Sequence, residues 1–459
     1  MYLHGFGARY DLPIALSLFL YAGAGVVVIS FVLVVLFAGD RVGASAVSYR
    51  RRPLPRLLAA GRSPWLWRAT GTVGVLWLLG IISTGLFGVQ DRPASNPAEY
   101  MLWIYFWAGL VILSGLVGNL WTLFNPWSAL FSLMARGRAP VPQAVLPDRF
   151  GIWIAVVIYF LFAFLELASG QANRPWVVGG VTLAYTLLTL GGMFFFGRDV
   201  WLRRCEAFTV LFAIVGRFSP IETERDHEGT LAGVWLRPYG AGLLQAWAGG
   251  WDRITFVILM LSSLAFDGLV ATPTWFAFNT SAYQYLGGLG ALEQPVVRGG
   301  GLVILSVAFL LVFNGFVQLM IQLGRGRSGN LDTITAFALT LVPIALVYNA
   351  AHNYSYLVIQ SQALVPLLAD PFGRGWHLLP TAGFQPSFTL AGAAVVWYVQ
   401  VVLIVLGHVI AVYLAHLRAG ERFKTAQRVL LSQYPMLALM VIYTMTSLWI
   451  LAQPITREG

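Results

Sequence analysis

Ten long runs of apolar residues, separated by short polar segments, dominate the chain. A helix needs about 20 mostly apolar residues to cross the hydrocarbon of a bilayer, and each run is close to that length. The runs cover residues 12–37, 66–87, 100–118, 151–169, 176–196, 254–273, 301–323, 332–353, 391–415 and 433–452. The pattern predicts an all-α polytopic transmembrane bundle with short interfacial or re-entrant helices and with both termini on one side.

The composition excludes several classes of protein. Of the 459 residues, 58% are hydrophobic and only 10% are charged. A soluble domain has about 45–50% apolar and about 25% charged residues. The chain therefore has too few charges to cover a soluble surface, which excludes a soluble multidomain enzyme, a disordered chain and a disulfide-rich scaffold. Cys205 is the one cysteine, so an internal disulfide cannot form.

The basic residues are divided unequally between the two sides that the spans define. Only six of the 29 Lys and Arg residues fall on the side of the termini, namely Arg9, Arg92, Arg174, Arg298, Arg374 and Arg457. The remaining 23 of these 29 fall on the opposite side, which the positive-inside rule predicts to be cytoplasmic. Both termini are therefore predicted to lie outside. The net charge of +10 reflects topology in a lipid bilayer, and we expect no nucleic-acid partner.

We interpret residues 1–459 as a single transmembrane domain. Its largest cytoplasmic loop is 197–252, and a broken-helix and loop segment occupies 352–390 on the outer face. Two apolar stretches, 126–134 and 207–215, are too short to span a bilayer and each follows a span. They predict either a parallel internal repeat, in which a span is followed by an interfacial or re-entrant helix on the cytoplasmic side, or two amphipathic interfacial helices with similar demands.

Ionisable groups are rare within the spans, and each is a functional candidate because burying charge in hydrocarbon is costly. Glu166 lies near the outer end of the fourth span and Asp267 near the outer end of the sixth. Asn349, His352 and Asn353 end the eighth span on one helix face. At about 1.5 Å per residue, all five groups occupy one slab within about 10 Å of the outer surface.

Carboxylates and imidazole at one depth suggest three uses. Glu166, Asp267 and His352, joined by His4 from outside, are a ligand set for a divalent metal ion that activates water. Without a metal, Asp267 or Glu166 beside His352 is a candidate general base, so these three are also the candidate catalytic residues. The alternatives are hydrogen bonds that fix helix packing, and a transport path.

The eighth span continues beyond its expected end. Residues 352–370 are again apolar but contain Gln360 and Gln362. One straight helix over 332–370 would exceed about 50 Å, too long for a bilayer of about 30 Å. A break is predicted near 349–354, followed by a helix at the outer interface. Asn349 and Asn353, with these two glutamines, are candidate substrate-binding residues.

A second polar group lies in the inner half of the membrane. Asn314 and Gln318 share one face of the seventh span, and His408 lies in the ninth. They predict either a polar inner path or ordinary interhelical hydrogen bonds.

Six stretches distributed over nearly the whole chain carry a family resemblance. They are HGFGARYDLP at 4–13, GNLWTLFNPW at 118–127, FDGLVATPTW at 266–275, AHNYSYLVIQSQALVPLLADPFGRGW at 351–376, YVQVVLIVLGHVIAVYLAH at 398–416 and SQYPMLALMVIYT at 432–444. In these stretches the chain resembles bacterial integral membrane proteins named as fenitrothion hydrolases. The resemblance implies a multi-pass protein of the bacterial inner membrane that hydrolyses an apolar organophosphorus triester, and it carries over no catalytic residues.

Two classes of function follow from the outer polar group. The first is a membrane-bound hydrolase with an outer-leaflet carboxylate and histidine site. The alternative is a membrane transporter or permease that uses the same residues, or a non-catalytic membrane subunit of a larger complex.

Overall fold

The computed structural model describes residues 10–38, 49–135, 141–226, 230–247, 249–286, 288–325, 331–381, 383–387, 389–423, 425–453 and 456–457. In chain order the helices are α1 (Leu16–Ala38), α2 (Pro55–Arg62), α3 (Pro64–Phe87), α4 (Pro97–Glu99), a π-helix (Tyr100–Leu110), α5 (Val111–Leu116), α6 (Trp121–Phe124), α7 (Pro126–Met134), α8 (Trp153–Leu167), α9 (Pro175–Phe196), α10 (Arg198–Arg204), α11 (Ala207–Gly216), α12 (Trp251–Val270), α13 (Pro273–Leu286), α14 (Glu293–Leu323), α15 (Leu331–Leu339), α16 (Val342–His352), α17 (Tyr354–Val358), α18 (Leu364–Leu367), α19 (Ala393–Arg422) and α20 (Ala426–Ala452). The strands are β1 (Tyr10–Asp11), β2 (Arg52–Pro53), β3 (Ile221–Arg225), β4 (Leu231–Leu236) and β5 (Thr456–Arg457).

Ten helical segments in these ranges are long and apolar enough to cross a membrane. They are α1, α3, the continuous run from α4 to α5, α8, α9, α12, α14, the run from α15 to α16, α19 and α20. The all-α polytopic prediction is confirmed, and the chain is a multi-pass membrane protein. We refer below to the arginine-rich side, which carries most of the basic residues, and to the termini side opposite it.

Both ends of the described chain meet in a short parallel sheet. Tyr10 of β1 pairs with Thr456 of β5, and Asp11 pairs with Arg457. This pairing places the two termini on one side, as an even number of spans requires. On the arginine-rich side, β4 lies between β2 and β3 in an antiparallel sheet, so part of the loop predicted at 197–252 is folded.

The eighth span is interrupted twice. The first interruption separates α15 from α16 at Thr340 and Leu341, just before Pro343. Proline has no backbone N–H, so the hydrogen bond that would continue the helix back to Leu339 cannot form. The second interruption is at Asn353, where φ is −92° and ψ is 10° between α16 and α17. The break predicted near 349–354 is confirmed.

The helix α16 is the centre of the bundle because α12 and α19 pack directly against it. Glycines permit both approaches. A Cβ on Gly407 of α19 would lie 2.1 Å from Cγ2 of Val347, and a Cβ on Gly268 of α12 would lie 2.4 Å from the hydroxyl of Tyr348. Small residues at such contacts are how membrane helices approach closely without a hydrophobic force between them. The close approach of α12 brings its last turn beside the end of α16.

The two short apolar stretches form α7 and α11, and both begin inside the bundle. A Cβ on Gly74 of α3 would lie 2.0 Å from the carbonyl oxygen of Phe124, which precedes α7. Gly74 is about 15 Å from the arginine-rich end of α3, at 1.5 Å per residue. Asn125 caps α7 and Glu206 caps α11, and the Thr209 hydroxyl bonds both side chains. These contacts favour the re-entrant alternative for both helices.

Candidate functional site

The closest polar contact in the predicted outer group joins α12 to α16. Asp267 lies in the last turn of α12 and His352 is the last residue of α16. Their Oδ2 and Nε2 atoms are 2.8 Å apart, and the side chains are only 20% and 6% exposed. At this distance the two groups form an ion pair when the imidazole carries a proton, and the carboxylate of Asp267 lies directly beside the ring.

Glu166, in the last turn of α8, belongs to the same group. Its carboxyl interacts electrostatically with that of Asp267 and has the Trp107 side chain as a hydrogen-bond partner. The hydroxyls of Tyr159 in α8 and Ser263 in α12 are 3.2 Å apart, and they join these helices two turns before Glu166 and one turn before Asp267. The structure therefore brings together Glu166, Asp267 and His352, the three residues predicted as catalytic.

Two tyrosines that the sequence did not single out complete the cluster. Tyr348 stacks on the His352 ring, with centroids 6.0 Å apart and planes inclined by 15°. Tyr356, in α17 beyond the break, interacts with both carboxyl groups. Burial, then Asp267 and then Glu166 raise the pKa of Tyr356, so it stays a neutral phenol and a proton donor.

The π-helix of the third span forms one wall of this cluster. Trp107 is part of it, and the Tyr105 hydroxyl donates to the carbonyl of Ser361, 3.0 Å away. A Cβ on Gly109 would be 3.6 Å from Leu357 of α17. A π-helix widens the turn and shifts the side chains that follow, and such segments are frequent at functional sites. The irregular part of the third span thus faces the broken part of the eighth.

The predicted substrate-binding amides are used mostly within the protein. Asn353 donates to the backbone oxygen of Asn349 at 3.1 Å and to its side-chain oxygen at 2.7 Å, which closes the end of α16. Gln362 donates to Val358 and exchanges two hydrogen bonds with the backbone of Ser387. Gln360 is half-buried in the adjoining short helix at 360–363. A substrate-binding role for these four residues stays a prediction.

The predicted inner path is distributed over two helices, α14 and α19, which both pack against α20. Gln318 donates to Asn314 within α14, over 3.5 Å, and α14 packs against α12 and α20. His408 is fully buried in α19, where Nδ1 lies 2.7 Å from the carbonyl of Ile404, and α19 packs against α16, α20 and α1. The structure does not assemble these residues with the cluster around Asp267.

The predicted metal ligands do not form a metal site in the described ranges. No group of three or more His, Cys, Asp or Glu side chains there is placed to hold a metal ion. The contact between His352 and Asp267 supplies two donors at most, and His4 lies outside the described residues. The described residues therefore give no support for a metal ion that activates water at this cluster.

Comparison of the chain with protein-family models, with curated proteins and with solved structures finds no match. The function of the cluster therefore has to follow from its own residues. His352 supplies an imidazole base, and the carboxylate of Asp267 lies beside it. Glu166 adds a second carboxyl and Tyr356 a neutral phenol. These are the groups that general acid–base catalysis requires.

Proposed function

We propose that this protein is a membrane-embedded hydrolase in which Asp267 and His352 activate water against an apolar, neutral ester. The observation that carries the proposal is the 2.8 Å contact between Nε2 of His352 and Oδ2 of Asp267 beside a break in the eighth span. A carboxylate in contact with an imidazole stabilises the imidazolium that forms when the ring takes a proton. The organophosphorus triester class is the one that the family resemblance implies.

The reaction needs two proton movements. His352 accepts a proton from water as the water oxygen forms a bond to phosphorus, and Asp267 stabilises the resulting imidazolium. The bond from phosphorus to the aryloxy leaving group breaks, and the imidazolium of His352 gives its proton to the departing oxygen while the neutral Tyr356 phenol donates a hydrogen bond to it. His352 is then a neutral base again, so the cluster returns to its starting state.

An apolar groove on the surface of the bundle is the place where we expect a substrate dissolved in lipid to dock. A groove of about 480 Å³ lies between α8 and α14 in the half of the membrane nearer the termini side. Its lining is wholly apolar, made of Phe160, Phe164, Pro295, Val296, Gly299, Gly300, Val303 and Ile304. The helix α8 lines this groove and also carries Glu166 in its last turn, so an ester held in the groove lies at a depth similar to that of the cluster.

A transporter that uses the same residues is the second candidate. Broken helices beside buried charge frame the substrate sites of many transporters, and this chain has one in its eighth span. The hydrogen bonds of Asn314 and His408 described above stay within their own helices, so they give no support for an inner half of a path. Hydrolysis therefore explains the arrangement with the cluster alone, whereas transport also needs an inner path.

The test is release of the phenol from a neutral aryl thiophosphate triester by the purified protein. We expect Asp267→Asn and His352→Gln each to lower kcat/KM by at least about 10²-fold, the usual contribution of a positioned base. Glu166→Gln and Tyr356→Phe should lower it by about tenfold or more, the smaller loss of a supporting charge or donor. A chelator should leave the rate unchanged, and loss of activity would return the metal to the mechanism.

Matched controls come from the termini side. Asp91→Asn and His377→Gln remove an exposed carboxyl and an exposed imidazole away from the cluster and should leave the rate unchanged. Full activity in Asp267→Asn, with unfolding unchanged, would refute the proposal. Uptake of intact triester into proteoliposomes without phenol release would favour the transporter instead.

A further inference from the structure

A second charged cluster lies on the arginine-rich side, far from Asp267. It consists of four arginines and one tryptophan that we call the arginine cluster: Arg217, Arg237, Arg253, Arg418 and Trp247. The arginines come from the end of α11, the segment after β4, the first turn of α12 and the last turns of α19. Arg237 is 7% exposed and Arg418 is 3% exposed, so half of these charges are removed from solvent.

Two of the four guanidinium groups have carboxylate partners. Arg237 is 3.7 Å from Glu222, and Arg418 is 2.8 Å from Glu421. Arg217 and Arg253 form no ion pair within the described ranges. The nearest carboxylate in sequence, that of Asp252, faces away and accepts from the backbone N–H of Ile152 at 2.8 Å.

The two unpaired guanidinium groups share one aromatic ring. The Cζ atom of Arg217 is 5.7 Å from the centre of the Trp247 ring, and that of Arg253 is 5.1 Å from it. The two positive charges also repel one another. Burial, Arg237, Arg418 and Arg253 together lower the pKa of Arg217 to about 10, although Tyr49 acts in the opposite sense.

A purely structural use accounts for three of the arginines. Arg217 donates to the carbonyls of Gly242, Gln245 and Ala246, and Arg418 donates to those of Leu243 and Gln245. Arg237 likewise donates to backbone carbonyls at the end of α11. These bonds brace the segment between β4 and α12.

Arg253 does not brace the fold in this way. Its Nε atom is buried without a hydrogen-bond partner in the described part of the chain, and its guanidinium group lies over the Trp247 ring. Bracing therefore does not explain why a fourth cation stands beside Arg217. An anion bound near Arg217 and Arg253 would relieve the repulsion between their charges. It would also accept a hydrogen bond from the buried Nε of Arg253.

We propose that Arg253 and Arg217, with Trp247, bind a phosphate-bearing anion, either the headgroup phosphate of an anionic lipid or free phosphate. Guanidinium groups bind phosphate oxygens in pairs, with a geometry that ammonium groups do not match. The site lies at the membrane edge of the predicted cytoplasmic side, where a lipid phosphate is close at hand. It is independent of the chemistry at Asp267.

The test uses the full-length protein in detergent with three probes: phosphatidylglycerol, phosphatidylcholine and inorganic phosphate. Native mass spectrometry counts bound phosphatidylglycerol, and thermal unfolding reports the stabilisation by each probe. We expect Arg253→Gln to weaken binding of the anionic probe at least tenfold. Arg68→Gln is the matched control, because Arg68 is exposed on the same side and also lies over a tryptophan, 5.8 Å from the Trp65 ring centre.

The outcomes separate the two sources of phosphate. Binding of phosphatidylglycerol without an effect of inorganic phosphate identifies a lipid headgroup, and equal stabilisation by both identifies phosphate itself. Equal binding in wild type, Arg253→Gln and Arg68→Gln would overturn the proposal. Arg253→Lys adds a check, since it keeps the charge but loses the paired geometry and should recover only part of the affinity.

Discussion

Substituting Gly268 with alanine tests whether the approach of α12 to α16 positions the acid–base pair. The new Cβ would lie 2.4 Å from the Tyr348 hydroxyl and 2.5 Å from Cγ2 of Ile450, whereas real Cβ atoms essentially never come within 3.0 Å of a neighbour. Tyr348 and Ile450 are both buried, so neither side chain has room to withdraw. The helix α12 must therefore move away from α16 by about 0.6 Å or more.

That displacement has two measurable consequences. Overpacking a close contact costs about 1–3 kcal/mol, which we expect as a loss of unfolding free energy in detergent. Asp267 is the residue immediately before Gly268 in α12, so the same movement lengthens its 2.8 Å contact with His352 and weakens the ion pair. A misplacement of about 1 Å costs about 10²-fold in rate, so kcat for ester hydrolysis should fall by about 10- to 100-fold.

Two further variants make the reasoning refutable. Gly315→Ala, on the membrane helix α14 where a Cβ meets nothing within 4 Å, should be neutral or slightly stabilising. Tyr348→Phe removes the closest clashing atom, so the double variant with Gly268→Ala should regain part of the lost stability and rate. If Gly268→Ala is as stable and active as Gly315→Ala, the close approach of α12 does not position the pair.

Two predictions concern other parts of the molecule. Asn125→Ala removes the cap of α7 and the bond to Thr209, and should lower the unfolding free energy by about 0.5–2 kcal/mol in thermal or denaturant melts, with activity unchanged once folded. Val303→Trp fills the apolar groove and should raise KM for the triester several-fold while kcat is kept; an unchanged KM would exclude the groove as the docking site.

The periodicity and charge of the sequence were sufficient for the outline of the fold. Runs of apolar residues predicted the spans because a bilayer requires a minimum length of each, and length is a local property. The break near Asn353 was predictable for the same reason, since 332–370 is too long to be one straight helix. The other break, between α15 and α16, is signalled by Pro343. It lies inside an apolar run whose length already suited a single span.

The tertiary partners of the cluster were not predictable in the same way. Depth placed Glu166, Asp267 and His352 in one slab, but depth cannot say which helices are neighbours. The glycine that allows the contact, Gly268, has no sequence signal distinguishing it from other glycines in the spans. Tyr356 belongs to the cluster because α17 follows the break at Asn353 and packs against the π-helix, within electrostatic reach of Asp267 and Glu166.

Irregular backbone within the membrane-spanning helices is the feature that best distinguishes a functional site from ordinary helix packing. Backbone groups outside a regular helix are costly in hydrocarbon, so they persist only where protein encloses them or where function requires them. Here the π-helix that carries Trp107 and the break at Asn353 lie side by side, joined by Tyr105 and Ser361. Interhelical hydrogen bonding alone can explain one buried carboxyl or one buried imidazole. A straight helix can also form such bonds. Such bonding does not explain two adjacent departures from helical geometry around one carboxylate–imidazole contact, whereas a site that must hold water and an ester does.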